Sequence, residues 1–256
     1  MKHSLLNDLD ANYIVIILFF SMLIAVWIGF KLGCKKTNSE SKSPELLSSL
    51  LGLLALLLAF TFGMAGSRYE NRKSNIIEEA NAIGTAILRA DIYPDSLKTA
   101  YKKDFETYLD SRITYFTASR DESKINNSLK ISAVVSANLW NRASFLAKDK
   151  NYFIQSNMMI PALNDMFDIA SKTNTVYNSK VPESIVYLLL IFSIIICFYI
   201  GYNAGLDKKL GKKYILGFCF LTCIVIYVTL DLDRPRRGLI NLSDEIVLLQ
   251  ELKYNF

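Results

Sequence analysis

Side chains that do covalent or metal chemistry are scarce in this sequence. One histidine, His3, cannot build a His-based metal cage and argues against a Ser-His-Asp triad. Four cysteines remain, Cys34, Cys197, Cys219 and Cys223. Cys219 and Cys223 share one helix face at i, i+4, the spacing of a metal or redox pair. With no histidine or carboxylate beside them, they read as small apolar packing residues. No nucleophile elbow, zincin motif or P-loop occurs. No catalytic residue, metal or cofactor is therefore expected, and an enzyme is the least favoured class.

The sequence offers instead spacings suited to close helix approach or to passage. Ala55, Ala59, Gly63 and Ser67 recur at i, i+4, with Gly52 about one turn earlier. Either helices pack closely on this stripe or, in a ring of subunits, it surrounds a narrow apolar path. In the second case Phe60 and Phe62 are candidates for a constriction that gates by dewetting. Beyond the stripe come Arg68, Arg72, Glu78, Glu79, Asn81, Thr85 and Arg89. These either pair along a solvated helix face or serve as vestibule and inter-subunit contacts, as the crowding implied by Ala80, Ala82, Gly84 and Ala86 suggests. A third group, Asp231-Leu-Asp233-Arg234-Pro235-Arg236-Arg237-Gly238, alternates acids and arginines. It is expected to dock the tail on the central domain, with Glu78 or Glu79 accepting guanidinium forks. Lipid headgroups are its rival partner. Gly201 and Gly205 form a GxxxG, a packing signal of modest specificity.

Four charge-free stretches position these groups: about 13–30, 46–66, 184–206 and 214–230. Each approaches or exceeds the ~20 residues that cross a bilayer as a helix. They account for a 52% hydrophobic composition and a mean hydropathy of +0.24 in a chain of 256 residues. The first is expected to be a retained span, because Met1–Asn12 carries one Lys and two Asp, the wrong charge for a signal peptide. Leu32-Gly33-Cys34 faintly resembles a lipoprotein cleavage site, but Lys31 stands where an apolar residue is expected. Ser43-Pro44-Glu45 and Val181-Pro182-Glu183 carry helix-start chemistry.

The spans pair as two hairpins. Loop Lys31–Ser43 has four lysines against Glu40, and loop Asp207–Lys213 has four lysines against Asp207, each net +3. Short basic loops stay cytoplasmic, which places both termini and the central segment outside, although Arg68, Arg72 and Lys73 weaken that orientation. The overall charge of +5 thus reports membrane orientation and gives no argument for a nucleic-acid partner. The second span continues as one helix to just before Pro94, and further helices are expected over about 96–117, 125–148 and 153–176, the last with Pro161 as a kink or restart. The expected fold is an all-α membrane protein. A transmembrane hairpin (1–66), a soluble helical bundle (67–180), a second hairpin (181–230) and a docking tail (231–256) follow in order.

The run Ala59-Phe-Thr-Phe-Gly-Met-Ala-Gly-Ser-Arg68-Tyr-Glu-Asn-Arg72, continuing through Glu78-Glu79-Ala-Asn81-Ala-Ile-Gly84-Thr85 to Arg89-Ala-Asp91 and Pro94, resembles the bacterial bestrophin-like membrane proteins, a family of unknown function. The tail Leu230-Asp-Leu-Asp-Arg234-Pro235-Arg-Arg237-Gly238 closes the same pattern. The resemblance implies a four-span protein distantly related to bestrophin anion channels, which are pentamers whose second span lines the pore. It also implies a cytosolic bulk, against the charge rule, and this chain lacks an acidic cluster like the bestrophin calcium clasp. The leading expectation is a homo-oligomeric ion channel of a bacterial inner membrane, with the lipid bilayer, further copies of itself and a permeant ion as partners. The alternative is a non-conducting sensor or scaffold whose helical domain binds a partner.

Overall fold

A computed structural model describes residues 9–35 and 44–255. His3, the start of the N-terminal arm, the lysines and glutamate of the first basic loop beyond Lys35, and the Ser43 cap lie outside the described residues. Eight α-helices occur among those described: α1 Ala11–Lys35, α2 Pro44–Ala90, α3 Asp95–Thr117, α4 Glu122–Leu146, α5 Phe153–Asn178, α6 Glu183–Leu206, α7 Lys212–Leu232 and α8 Ser243–Glu251. A short 3-10 turn, Leu252–Asn255, follows α8. Four of them, α1, α2, α6 and α7, are long and apolar enough to cross a membrane. Pro161 does not restart α5, which runs through it. The proline only leaves the Asn157 carbonyl without its helical donor.

The chain divides into two compact units. One takes in Met1–Ser67 and Lys180–Arg234, the other Arg68–Ser179 and Pro235–Phe256, so α2 contributes to both.

In the first unit Ile14, Leu18, Met22 and Val26 of α1 pack with Leu189, Ile196 and Cys197 of α6 and Cys219, Cys223 and Ile226 of α7. Glycine sets the closest approach. A Cβ added at Gly29 would collide with the Phe198 carbonyl, one at Gly201 with the Val26 backbone, and one at Gly205 with the Phe30 carbonyl. The GxxxG of the third span is thus consumed against the first span, whose own Gly29 and Gly33 answer it. The Cys197 and Cys219 sulfurs lie 3.8 Å apart as free thiols in this interior.

The second unit has a core of ordinary globular character. Ile76, Ala80, Ile83 and Ile87 mark the buried face of α2. Against them lie Tyr101, Phe105 and Leu109 of α3, Leu139 of α4, Leu163 and Met166 of α5, and Leu249 of α8. Each large side chain buried this way contributes about 1.5–3 kcal/mol before entropy is counted. Asp121 caps α4, its carboxylate accepting the Lys124 amide at 3.0 Å.

Burial also pushes the Tyr108 and Tyr177 phenols above the usual range, with Arg112 and Arg236 respectively opposing the shift. The unfolded chain releases phenolic protons from about pH 10, whereas these folded phenols hold theirs. Their contribution to stability is therefore complete below that pH and is lost as pH rises towards the folded values. An alkaline titration is expected to ionise exposed tyrosines first and the buried ones only as helical circular dichroism falls. Ionisation of all fourteen tyrosines with the helices intact would show the phenols to be open to solvent.

Candidate functional site

The stripe on α2 is open in the single chain. Gly52, Ala55, Ala59, Phe60, Phe62, Gly63 and Ser67 are all exposed, and a Cβ at Gly52 or Gly63 would meet nothing within 4 Å. The opposite face is used: Leu54, Thr61 and Ala65 are buried, and the Thr61 hydroxyl donates to the Leu57 carbonyl at 2.8 Å. In its most apolar stretch α2 has 11% of its residues buried, against 33% in α1 and 44% in α7. Most of this stretch is therefore left uncovered by the described residues. At ~100° per residue, Phe62, three residues after Ala59, and Phe60, three residues before Gly63, flank the stripe on its two sides, both exposed.

The polar residues beyond the stripe separate into three kinds. Arg72 and Glu79 are buried. The Arg72 guanidinium donates to the Ser179 carbonyl at 2.5 Å. Glu79 receives the Arg112 fork, Nε on one oxygen and Nη2 on the other at 3.0 Å, while Arg112 Nη1 donates to Asn174 Oδ1 at 3.0 Å. Burial opposes the Arg112 charge, but Glu79 outweighs it and holds the guanidinium above its ordinary value. A second group borders a cleft: Arg68 and Glu78, the latter paired with Lys172 at 3.1 Å and accepting from the Ser74 hydroxyl at 3.2 Å. Asn81 and Thr85 are exposed, the Thr85 hydroxyl donating to the Asn81 carbonyl one turn back. Arg89 donates to the Met158 carbonyl of α5. A shared helix face therefore did not mean a shared environment.

The partners found among the described residues for Glu78 and Glu79, expected to receive tail arginines, are Lys172 and Arg112. In the tail, Asp231 and Asp233 are buried. Both Asp233 oxygens accept the Val181 amide, at 3.1 and 2.9 Å, fixing the backbone ahead of α6. Arg234 donates to the Leu9 carbonyl at 2.6 Å, and Arg237 lies half-buried in the turn before Gly238, whose φ of 102° favours glycine. Arg236, which stands in the run but not among the expected docking residues, also holds the tail. Its guanidinium donates to the Tyr115 carbonyl at 2.7 Å and lies 4.7 and 4.8 Å from the Tyr115 and Tyr177 rings. Only its place in an arginine-rich run signalled it, since both aromatic partners are distant in sequence.

Lys73 is held above its usual pKa by a bond to Glu245 of α8, and Asp91 below its own by Lys98. Among the described residues no three His, Cys, Asp or Glu side chains converge as a metal site. What the arrangement offers is an exposed apolar stripe followed by a polar, mixed-charge helix.

No protein-family model matches the chain, and no curated protein does. Solved structures do. The chain is similar to two mutant forms of a bacterial bestrophin homolog from Klebsiella pneumoniae. One gives a TM-score of 0.68 at 11% identity, over 94% of this chain and 97% of that one. The other gives 0.68 at 10% identity, over 99% and 97%. A crystal structure described as a membrane protein gives 0.65 at 12% identity, over 96% of each chain. This chain is a multi-span membrane protein with a bestrophin-like fold.

Proposed function

We propose that the protein is a homo-oligomeric ion channel whose permeation path runs along α2. The observation that carries this reading is the open stripe: Gly52, Ala55, Ala59 and Gly63 are small, exposed and unfilled by their own chain. Copies arranged around an axis would bring these faces together, with Phe60 and Phe62 narrowing the apolar path and Ser67 closing the stripe. The bestrophin-like fold supports five copies and favours anions as the first ions to test. Arg68, Glu78, Asn81, Thr85 and Arg89 serve in this reading as vestibule or inter-subunit contacts. The lysine-rich loops support a bacterial inner membrane orientation with the termini and residues 67–180 non-cytoplasmic.

The scaffold reading draws on a different observation. Val134, Phe145 and Ile154 of the second unit are exposed apolar side chains, which a partner could cover. Reconstitution in liposomes separates the two. Salt-gradient flux across several salts and potentials is expected from the channel; a folded, oligomeric protein that passes no ion under any of them is a scaffold.

A further inference from the structure

In the first unit Gly201 packs on Val26 and Gly205 on Phe30, so α1 and α6 run parallel and end together. The Cys34 thiol donates to the Gly205 carbonyl at 3.4 Å. The last turn of α1 therefore lies beside the loop that joins α6 to α7. Six lysines gather there: Lys31 and Lys35 from α1, Lys208 and Lys209 from the loop, and Lys212 and Lys213 from the first turn of α7. One acid, Asp207, stands with them in these segments. All six lysines are exposed, and none forms an ion pair among the described residues. The turn itself holds Lys208 at φ 52°, with the Lys209 amide donating to the Ala204 carbonyl at 3.2 Å. Glycine fits that left-handed position best; with lysine there, the turn keeps an unbroken Lys208-Lys209 pair.

A face with this surplus of positive charge draws anions. Its aromatic neighbours say which. Trp27 is 56% exposed and Tyr214 88%, and the Lys31 ammonium sits 3.9 Å from the Trp27 ring centroid. Exposed Trp and Tyr at the end of an apolar span mark the level of lipid headgroups. The lysines thus stand at the height of the bilayer phosphates. Below Lys31, on the same side of α1, the exposed Ile24, Trp27 and Ile28 continue as an apolar flank.

We propose that this end of the first unit binds anionic phospholipid, with the headgroup phosphates of phosphatidylglycerol or cardiolipin on the lysines and the acyl chains along the Ile24, Trp27 and Ile28 flank. The face does not depend on ion conduction, and its test is a lipid-association measurement.

The full-length protein is reconstituted in phosphatidylcholine vesicles that carry a trace of spin-labelled phosphatidylglycerol, cardiolipin or phosphatidylcholine. Electron paramagnetic resonance reads the fraction of each label immobilised at the protein. Both anionic labels are enriched about threefold or more over phosphatidylcholine, and the enrichment falls towards one in ~1 M salt, where the Debye length is ~3 Å. The loop variant, Lys208→Gln with Lys209→Gln, Lys212→Gln and Lys213→Gln, lowers the enrichment to about half or less. Neutralising four exposed lysines of the second unit in the same way, Lys103, Lys130, Lys148 and Lys150, leaves it unchanged, which separates this face from the net charge of the chain. The loop variant alters only exposed side chains and is expected to fold, as an unchanged melting temperature checks. Where it does not fold, the salt titration of the wild type and Lys31→Gln with Lys35→Gln decide, since each must lower the enrichment. Three results overturn the proposal: anionic and zwitterionic labels associating equally, an enrichment that survives both salt and loss of the lysines, or an equal loss in the second-unit variant.

Discussion

Glu79→Leu is expected to destabilise the second unit by about 3–5 kcal/mol, because Arg112 is left as a buried charge without its counter-ion. Glu79 is 0% exposed and Arg112 1%, so neither charge has water to fall back on. Both bonds of the guanidinium fork go to this one carboxylate, and the remaining arm goes to Asn174. Tyr115 and Phe116 lie 4.9 and 5.2 Å from the guanidinium carbon, so the arginine cannot swing out without emptying a packed aromatic site. Arg112→Lys is expected to fail as well, since an ammonium cannot reproduce the fork. Replacing both residues, Glu79→Leu with Arg112→Met, removes the stranded charge and should cost less than Glu79→Leu alone. Melting of the detergent-solubilised variants checks this. A loss on the order of 10 °C is expected for the single variant, with partial recovery in the double. A single variant melting with the wild type would show the pair to be dispensable.

That pair also shows where sequence reading ran out. Glu79 was legible as a polar residue on a crowded helix, but its partner lies 33 residues away on α3, and nothing in local spacing distinguishes Arg112 from a surface arginine. The spans were legible because ~20 charge-free residues admit few other structures. The long run of α2 past the membrane was legible because no proline interrupts it before Pro94. The helices of the second unit followed from their apolar period, with α5 extended through Pro161 because its apolar face resumes at Ala162, Leu163 and Met166. Helix pairing was less legible. Sequence adjacency paired the first span with the second, yet the tightest contact joins Gly29 and Gly33 to Gly201 and Gly205. Small residues mark a close approach without naming the partner. Arg236 escaped for the same reason as Arg112: its role is set by the Tyr115 and Tyr177 rings, which only the fold brings near.

The glycines supply the second large effect, because identical substitutions should have opposite consequences at different positions. Gly201→Leu drives a side chain into the Val26 backbone. Since backbone cannot yield as a flexible side chain can, α1 and α6 must separate, and little folded protein is expected. Gly63→Leu meets nothing within 4 Å of its Cβ in the chain and should leave helicity and melting unchanged. Any effect it has must arise where α2 meets something beyond its own chain. If copies of α2 surround the path, a leucine per subunit narrows it and ion flux falls by roughly tenfold or more, equivalent to at least ~1.4 kcal/mol on the transport barrier. Gly217 of α7 is the control: it too is exposed with nothing within 4 Å of an added Cβ, so Gly217→Leu makes the same chemical change on a helix outside the proposed path. Flux lost in Gly63→Leu and kept in Gly217→Leu assigns the path to α2. Equal flux in both, with assembly intact, removes α2 from the lining. Assembly lost in Gly63→Leu alone makes the stripe a packing surface between copies, the simpler of the two roles its spacing allows.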